Sequence, residues 1–186
     1  MSYRVAILGH SQVPLNFPSI AGVETRIYRK SGAKLQRFGD YPEFTEVFSW
    51  PHDHNIIFLG GNDIGAGTNA WTAEDIATKL ISICWQLHHQ GQTVSLVQIE
   101  PRQYLSEFYH DFYRRESDKV NRRLKRYIKR RQGLYRLISY NAAPFREGHS
   151  IDGVHFSAVS VQCIISKMKH AIMYFREEYN HRHNNN

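Results

Sequence analysis

Residues 5–11 read VAILGHS, an unbroken apolar run that ends at Gly9 and is soon followed by a serine. A strand covered by helices on both faces of a parallel sheet has this character, because no position along it faces water. Ser11 would then stand just beyond the carboxyl end of a buried strand, where α/β sheets place their binding sites. This stretch therefore predicts both the class of the fold and the edge of the sheet that carries a site.

The same arrangement occurs again at residues 56–63, which read IIFLGGND. Apolar runs at 94–99 and 134–140 are candidates for further strands, and a more polar run at 25–28 predicts a strand nearer the edge of the sheet. Amphipathic helical patterns lie between these runs. We therefore predict an α/β fold, in which a three-layer α/β/α sandwich surrounds a mostly parallel five-stranded sheet.

The composition is that of one globular domain, with 41% hydrophobic and 22% charged residues in a chain of 186. No run approaches the ~20 apolar residues of a membrane-spanning helix. The chain also enters a strand-like run within its first residues, which does not resemble a signal peptide. We expect a single domain over 1–179, a disordered polar tail over 180–186, and a cytoplasmic or nuclear location in which both cysteines stay reduced. These features do not fix the oligomeric state.

The positive charge is concentrated in one segment. Residues 114–131 contain 10 Lys and Arg and 2 acidic residues, a charge of +8 in a chain whose net charge is +7. Apolar residues at Val120, Leu124 and Ile128 predict an amphipathic helix here, with Ser117 as its N-cap. A solvated helix face is the ordinary interpretation, but a clustered positive field also attracts polyanions. The candidate phosphate contacts are Arg122, Arg123, Arg126, Arg130 and Arg131.

Three short polar motifs, in chain order, contain the groups needed for acyl transfer through a serine. Ser11 is a candidate nucleophile, which requires a base to accept its proton. His155 is the natural base, and Asp152 could hold its ring in the required tautomer. The side-chain amide of Asn62 could stabilise an oxyanion, joined by the backbone N–H of Ser11 and of Gly32. Each motif taken alone could also be only a turn.

Together, the motifs Gly9-His10-Ser11, 60–63 and 152–155 resemble those of the SGNH, or GDSL, hydrolase family, in the order that the family has them. The resemblance implies a flavodoxin-like α/β/α fold and an esterase that needs no metal and no organic cofactor. It implies that Ser11 is the nucleophile, that Asn62 is an oxyanion donor, and that Asp152 and His155 form the base pair.

Two positions in these motifs differ from the family pattern or match it at more than one residue. Gly32 is the best match for the family's second-motif glycine, with Gly22 and Gly39 as alternatives. His10 stands where the family has the acid of its Gly-Asp-Ser motif, which alters the charge and hydrogen bonding beside the nucleophile.

The sequence therefore predicts a serine esterase that acts on small carboxylic esters with short acyl groups such as acetyl. The alternative is a catalytically weak module of the same fold that binds nucleic acid or another polyanion through residues 114–131. Some members of the resembling family are carried within retroelement proteins, which keeps that alternative open. The His52-Asp53-His54 segment lacks a complete set of metal ligands at the expected spacing, so a polar loop is predicted there instead of a metal site.

Overall fold

The computed structural model of the protein describes residues 2–66, 68–102, 106–131, 133–140 and 155–184. Five strands form one sheet in which every neighbouring pair is parallel. The strands are β1 (Tyr3–Gly9), β2 (Val23–Arg29), β3 (His54–Phe58), β4 (Thr93–Val97) and β5 (Tyr135–Ile138). Their order across the sheet is β2-β1-β3-β4-β5.

The helices form a layer on each face of this sheet. Those in the described residues are α1 (Pro42–Val47), α2 (Ala73–His89), α3 (Glu107–Lys129) and α4 (Ala158–Asn184), with 3-10 turns at Leu35–Asp40 and Gly61–Asp63. The first three helices share one hydrophobic core with one face of the sheet, whereas α4 packs into a second core on the other face. The predicted three-layer α/β/α sandwich with a five-stranded sheet is confirmed.

The burial of the strands follows from their sequences. Every side chain of β3 is buried, and so are Val5 to Leu8 of β1. Ala6 and Leu8 point into the core beneath α1 to α3, whereas Val5 and Ile7 point toward α4, because successive side chains of a strand face opposite sides. The more polar β2 is the edge strand, as its sequence predicts.

Helix α2 begins with a capping box formed by Thr72 and Asp75. The Thr72 hydroxyl accepts a hydrogen bond from the Asp75 N–H at 3.2 Å, and the Asp75 carboxylate accepts one from the Thr72 N–H at 2.9 Å. These reciprocal bonds form a capping box, which satisfies backbone donors that the first turn would otherwise leave unpaired.

Helix α3 begins earlier than predicted, and the assignment of Ser117 as its N-cap is wrong. The helix starts at Glu107, so Ser117 lies inside it, buried, and its hydroxyl donates to the Arg114 carbonyl at 3.0 Å. The buried stripe of Val120 and Leu124 continues N-terminally through Ser117 to Tyr113 at helical spacing. Because a serine interrupts the apolar pattern, the sequence pattern does not indicate the first turns of the helix.

Helix α4 continues to Asn184, so residues 180–184 are helical rather than the start of a disordered tail. Tyr179 on this helix meets the ring of Tyr3 edge-on, with 5.5 Å between the ring centroids, which ties the end of α4 to the start of β1. Within the described residues, no helix is both long enough and apolar enough to cross a bilayer.

The histidines at 52 and 54 belong to a buried hydrogen-bond network rather than to a polar loop. His54 begins β3, and its ring nitrogens lie 2.7 Å from the Thr93 hydroxyl and 3.1 Å from the Ser95 hydroxyl. Nε2 of His52 lies 2.7 Å from Oδ1 of Asn55. Across the part of the chain that the structure describes, no group of three or more His, Cys, Asp or Glu side chains is placed to hold a metal ion.

Candidate active site

The order of the strands creates a crevice beyond the carboxyl ends of β1 and β3. From β1 the chain passes to β2 on one side, and from β2 it returns to β3 on the other side of β1. The loops that follow β1 and β3 therefore diverge, which leaves the space in which α/β sheets bind ligands. Ser11 lies in the first of these loops and Asn62 in the second.

The loop after β1 brings Ser11 within reach of His155. Nε2 of His155 lies 3.2 Å from Oγ of Ser11, although the two residues are 144 positions apart in the chain. The backbone N–H of Phe156 also donates to Oε1 of Gln12 at 3.2 Å, so neighbouring residues join the same two loops a second time. Asp152 lies outside the described residues.

The serine is held by the ends of the neighbouring strands. The His10 N–H donates to the Phe58 carbonyl at 3.3 Å, which extends the β1–β3 pairing beyond the strand ends. The Arg29 guanidinium, at the end of β2, donates to the Ser11 carbonyl at 2.8 Å. Both contacts restrain the backbone on either side of the Ser11 hydroxyl and leave the hydroxyl itself facing His155.

The side chain of Asn62 is oriented at both ends. Its Nδ2 donates to the Ala33 carbonyl at 3.1 Å, and its Oδ1 accepts from the Arg102 guanidinium at 2.8 Å. An amide nitrogen carries two hydrogens, so one N–H remains for another acceptor.

The loop after β2 places Gly32 beside this amide. Gly32 directly precedes Ala33, whose carbonyl binds Asn62, and it has a left-handed backbone with φ +68°, which favours glycine. The alternative Gly22 lies at the opposite end of the sheet, where its carbonyl accepts the Tyr3 N–H at 3.1 Å. Gly39 lies further along, inside the 3-10 turn Leu35–Asp40.

The carboxylate of Asp63 ties that 3-10 turn to the Asn62 loop. It accepts the N–H of Leu35 at 2.9 Å and the N–H of Gln36 at 3.2 Å. Burial raises the pKa of Asp63, and the two backbone donors oppose that increase. The residue therefore fixes the relative position of two loops, and its oxygens are occupied by those loops.

A buried cluster of His10, Glu100 and Arg102 lies directly behind these loops, and the sequence did not predict that these three side chains meet. His10 and Glu100 are fully buried and Arg102 is 7% exposed. Burial would raise the pKa of Glu100, but contact with His10 and Arg102 lowers it to about 2. The sequence contains one sign of this cluster. Glu100 follows an apolar run that predicts a buried strand, and a carboxylate buried there would need a partner.

The five arginines selected as candidate phosphate contacts are exposed on or just beyond α3. Two of them have partners: Arg123 forms an ion pair with Glu74 of α2, and Arg131 lies over the ring of Tyr127 at 4.2 Å from its centroid. The basic surface is thus in contact with α2 rather than isolated on one helix.

Comparison by sequence finds no matching protein-family model and no matching curated protein. Comparison by structure finds many similar solved proteins. A GDSL-like lipase from Bacteroides thetaiotaomicron is 17% identical, with a TM-score of 0.68 over 92% of this chain and 88% of its own. A member of the lipolytic G-D-S-L family from Veillonella parvula is 16% identical, with a TM-score of 0.69 over 89% of this chain and 96% of its own.

The native aryl esterase of M. smegmatis is 14% identical and has a TM-score of 0.69 over 93% of this chain and 99% of its own. At these identities the likeness shows the fold alone. The protein has the α/β/α fold of the SGNH hydrolases.

Proposed function

We propose that the protein is a serine esterase that hydrolyses small carboxylic esters with short acyl groups. The observation that carries the proposal is the 3.2 Å contact between Nε2 of His155 and Oγ of Ser11, across 144 residues of sequence. A base within hydrogen-bond reach of a hydroxyl is the arrangement that activates a serine nucleophile. The hydrolase fold and the position of both residues at the crevice of the sheet support the same reaction.

In the proposed reaction, the Ser11 oxygen attacks the ester carbonyl while His155 accepts the hydroxyl proton. Asp152 accepts the other ring N–H and keeps the imidazole in the required tautomer. The oxyanion receives hydrogen bonds from the backbone N–H of Ser11 and Gly32 and from the free amide N–H of Asn62. His155 then returns the proton to the leaving alcohol.

The second half of the reaction releases the acyl group. Water attacks the acyl-enzyme as His155 removes its proton, the bond between the acyl carbon and Ser11 breaks, and the serine recovers a proton as the acid leaves. No metal and no organic cofactor takes part in the proposed steps.

Labelling with a fluorophosphonate tests this proposal without a known substrate. An activated serine displaces fluoride and keeps the phosphonyl group, so we expect the adduct on the peptide that contains Ser11, measured by mass spectrometry. The Ser11→Ala variant should remain unlabelled, whereas Ser49→Ala, which removes an exposed serine on another loop, should label as the parent does. An adduct at a different serine, or none at all, would contradict the proposal.

A second candidate function is binding of nucleic acid by the basic surface of α3. Arg122 and Arg126 are one helical turn apart and line a groove of about 540 Å³ with Arg123 and the first turn of α2. Within the described residues, neither Arg122 nor Arg126 has a carboxylate partner, whereas Arg123 is paired with Glu74. Two cations that form no ion pair within the described residues, in a region of charge +8, are suited to a phosphate backbone.

We expect the protein to bind a single-stranded RNA oligonucleotide with an affinity that falls as salt rises. Fluorescence anisotropy over a salt series gives the slope of the logarithm of the binding constant against the logarithm of the salt concentration. The magnitude of this slope should be smaller by at least about 1.4 in the Arg122→Glu/Arg126→Glu variant, since each phosphate contact contributes about 0.7. The matched control, Lys169→Glu/Arg182→Glu, makes the same change of charge on α4, on the other face of the sheet. Equal losses of RNA affinity and of salt dependence in the two variants would show that only the net charge matters, and they would exclude α3 as the binding surface.

A further inference from the structure

The hydrogen bonds of Asn62 determine which end of its amide is the oxygen. A guanidinium can only donate and a backbone carbonyl can only accept, so Oδ1 must face Arg102 and Nδ2 must face Ala33. With Arg102 absent, the hydrogen bond to the Ala33 carbonyl would hold the side chain at Nδ2 alone, and the plane of the amide would be less restrained. The contact with Arg102 therefore defines the direction of the remaining N–H.

Arg102 is in turn held from two sides. Its Nε donates to Oε1 of Glu100 at 3.0 Å, and its Nη2 is bonded to the same oxygen as well as to Asn62. The guanidinium also lies 5.2 Å from the centroid of the Tyr113 ring, and the Tyr113 hydroxyl donates to the Glu100 carbonyl at 3.1 Å. The planar fork of an arginine is suited to bridging a carboxylate and an amide oxygen in one fixed geometry.

His10 approaches the same carboxylate oxygen that Arg102 binds. Nε2 of His10 lies 3.4 Å from Oε1 of Glu100, and Nδ1 accepts the Gln12 N–H at 3.2 Å. Because Nδ1 acts as an acceptor, the ring proton is assigned to Nε2, where it faces Glu100. An aspartate at position 10 would instead face a second buried carboxylate, which accounts for the histidine in this chain's Gly-His-Ser motif.

The loop of Asn62 is shaped to accept the carboxylate. A Cβ at Gly61 would lie 2.2 Å from Oε1 and 2.7 Å from Oε2 of Glu100, so only glycine fits there. Glu100 is thus packed against the residue that precedes Asn62, as well as bonded to the arginine that binds Asn62.

We propose that His10, Glu100 and Arg102 are positioning residues that hold the Asn62 amide in the direction required by the oxyanion hole, an inference that rests on the proposed esterase function. The three side chains connect the residue beside the nucleophile with the side chain that stabilises the oxyanion. A buried ion pair adds little net stability compared with apolar side chains of similar size. The Glu100–Arg102 pair also binds Asn62, which apolar side chains could not do.

Kinetics of Arg102→Met, Asn62→Ala and the double variant test the coupling between these residues. We expect Arg102→Met to lower kcat for p-nitrophenyl acetate by about 10-fold to 100-fold at unchanged KM, because a small misplacement of a catalytic group has effects of this size. The double variant should be no slower than Asn62→Ala alone, since Arg102 acts through Asn62. Independent, multiplicative losses would overturn the proposal, and so would an unchanged kcat.

Two further variants separate positioning from folding. Arg102→Met leaves Glu100 buried without its cation, which should lower the melting temperature. Glu100→Gln/Arg102→Met removes both charges. Its melting temperature should lie closer to that of the parent, whereas its kcat should remain low. Arg115→Met removes an exposed arginine on α3 and should leave kcat unchanged. Recovery of kcat in the neutral double variant would show that Arg102 is needed only for folding.

Nuclear magnetic resonance of the Asn62 side-chain NH2 group provides a measurement that needs no esterase activity. In the parent protein we expect two well-separated proton signals, one slow to exchange because it is bonded to the Ala33 carbonyl, and in Arg102→Met a shift toward the signals of solvated asparagines. Signals that do not change would overturn the positioning role even in an active enzyme. If the parent hydrolyses no ester and these signals still shift, the proposed function fails and the positioning of Asn62 stands.

Discussion

Ser11→Ala should lower kcat for p-nitrophenyl acetate by at least about 10³-fold, with little change in KM. The alanine removes the attacking oxygen, and any remaining rate would come from oxyanion stabilisation and binding alone. His155→Ala should cause a similar loss, because the serine would then attack without a base 3.2 Å from its hydroxyl. Steady-state kinetics on the purified proteins, with melting temperatures to verify folding, measure both effects.

The double variant strengthens this test. Since both residues act in one step, Ser11→Ala/His155→Ala should be about as slow as either single variant. His170→Ala is a suitable control, because it removes an exposed histidine from α4. Full activity of either single variant would exclude this pair as nucleophile and base.

The motifs after β1 and β3 could be predicted because strong local signals precede them. An unbroken apolar run followed by glycine marks a buried parallel strand, and the polar residue beyond it must then lie at the edge of the sheet. This logic locates Ser11 and Asn62 without any knowledge of tertiary contacts. The start of α2 was equally predictable, because the capping box of Thr72 and Asp75 is a local feature.

The buried chain of His10, Glu100 and Arg102 could not be predicted in the same way. Its members lie after two different strands, and only the pairing of β1 and β3 and of β3 and β4 brings them together. A charged residue that follows a strand is usually exposed in a loop, so the burial of Glu100 depends on Arg102 of the same loop and on His10 of the loop after β1. The start of α3 was missed for a related reason, since its first buried positions include a serine and a tyrosine.

Asn62→Ala should reduce kcat by about 10²-fold to 10³-fold, or about 2.7–4 kcal/mol of transition-state stabilisation, with KM nearly unchanged. One N–H of the Asn62 amide is bonded to the Ala33 carbonyl, and the other is available to donate to the oxyanion. Loss of such a donor affects the transition state more than the bound ester, which is why kcat and not KM should respond. Asn180→Ala, on the exposed side of α4, is the matched control.

Asn62→Asp gives the sharper version of this test, because it retains the size and the contact with Arg102 while it removes the donor. A carboxylate oxygen at the position of Nδ2 would face the Ala33 carbonyl and the developing oxyanion, and it would repel both. We therefore expect Asn62→Asp to be at least as slow as Asn62→Ala, although its side chain still fills the same space. A rise in KM with unchanged kcat in both variants would assign Asn62 to ground-state binding and exclude it from the oxyanion hole.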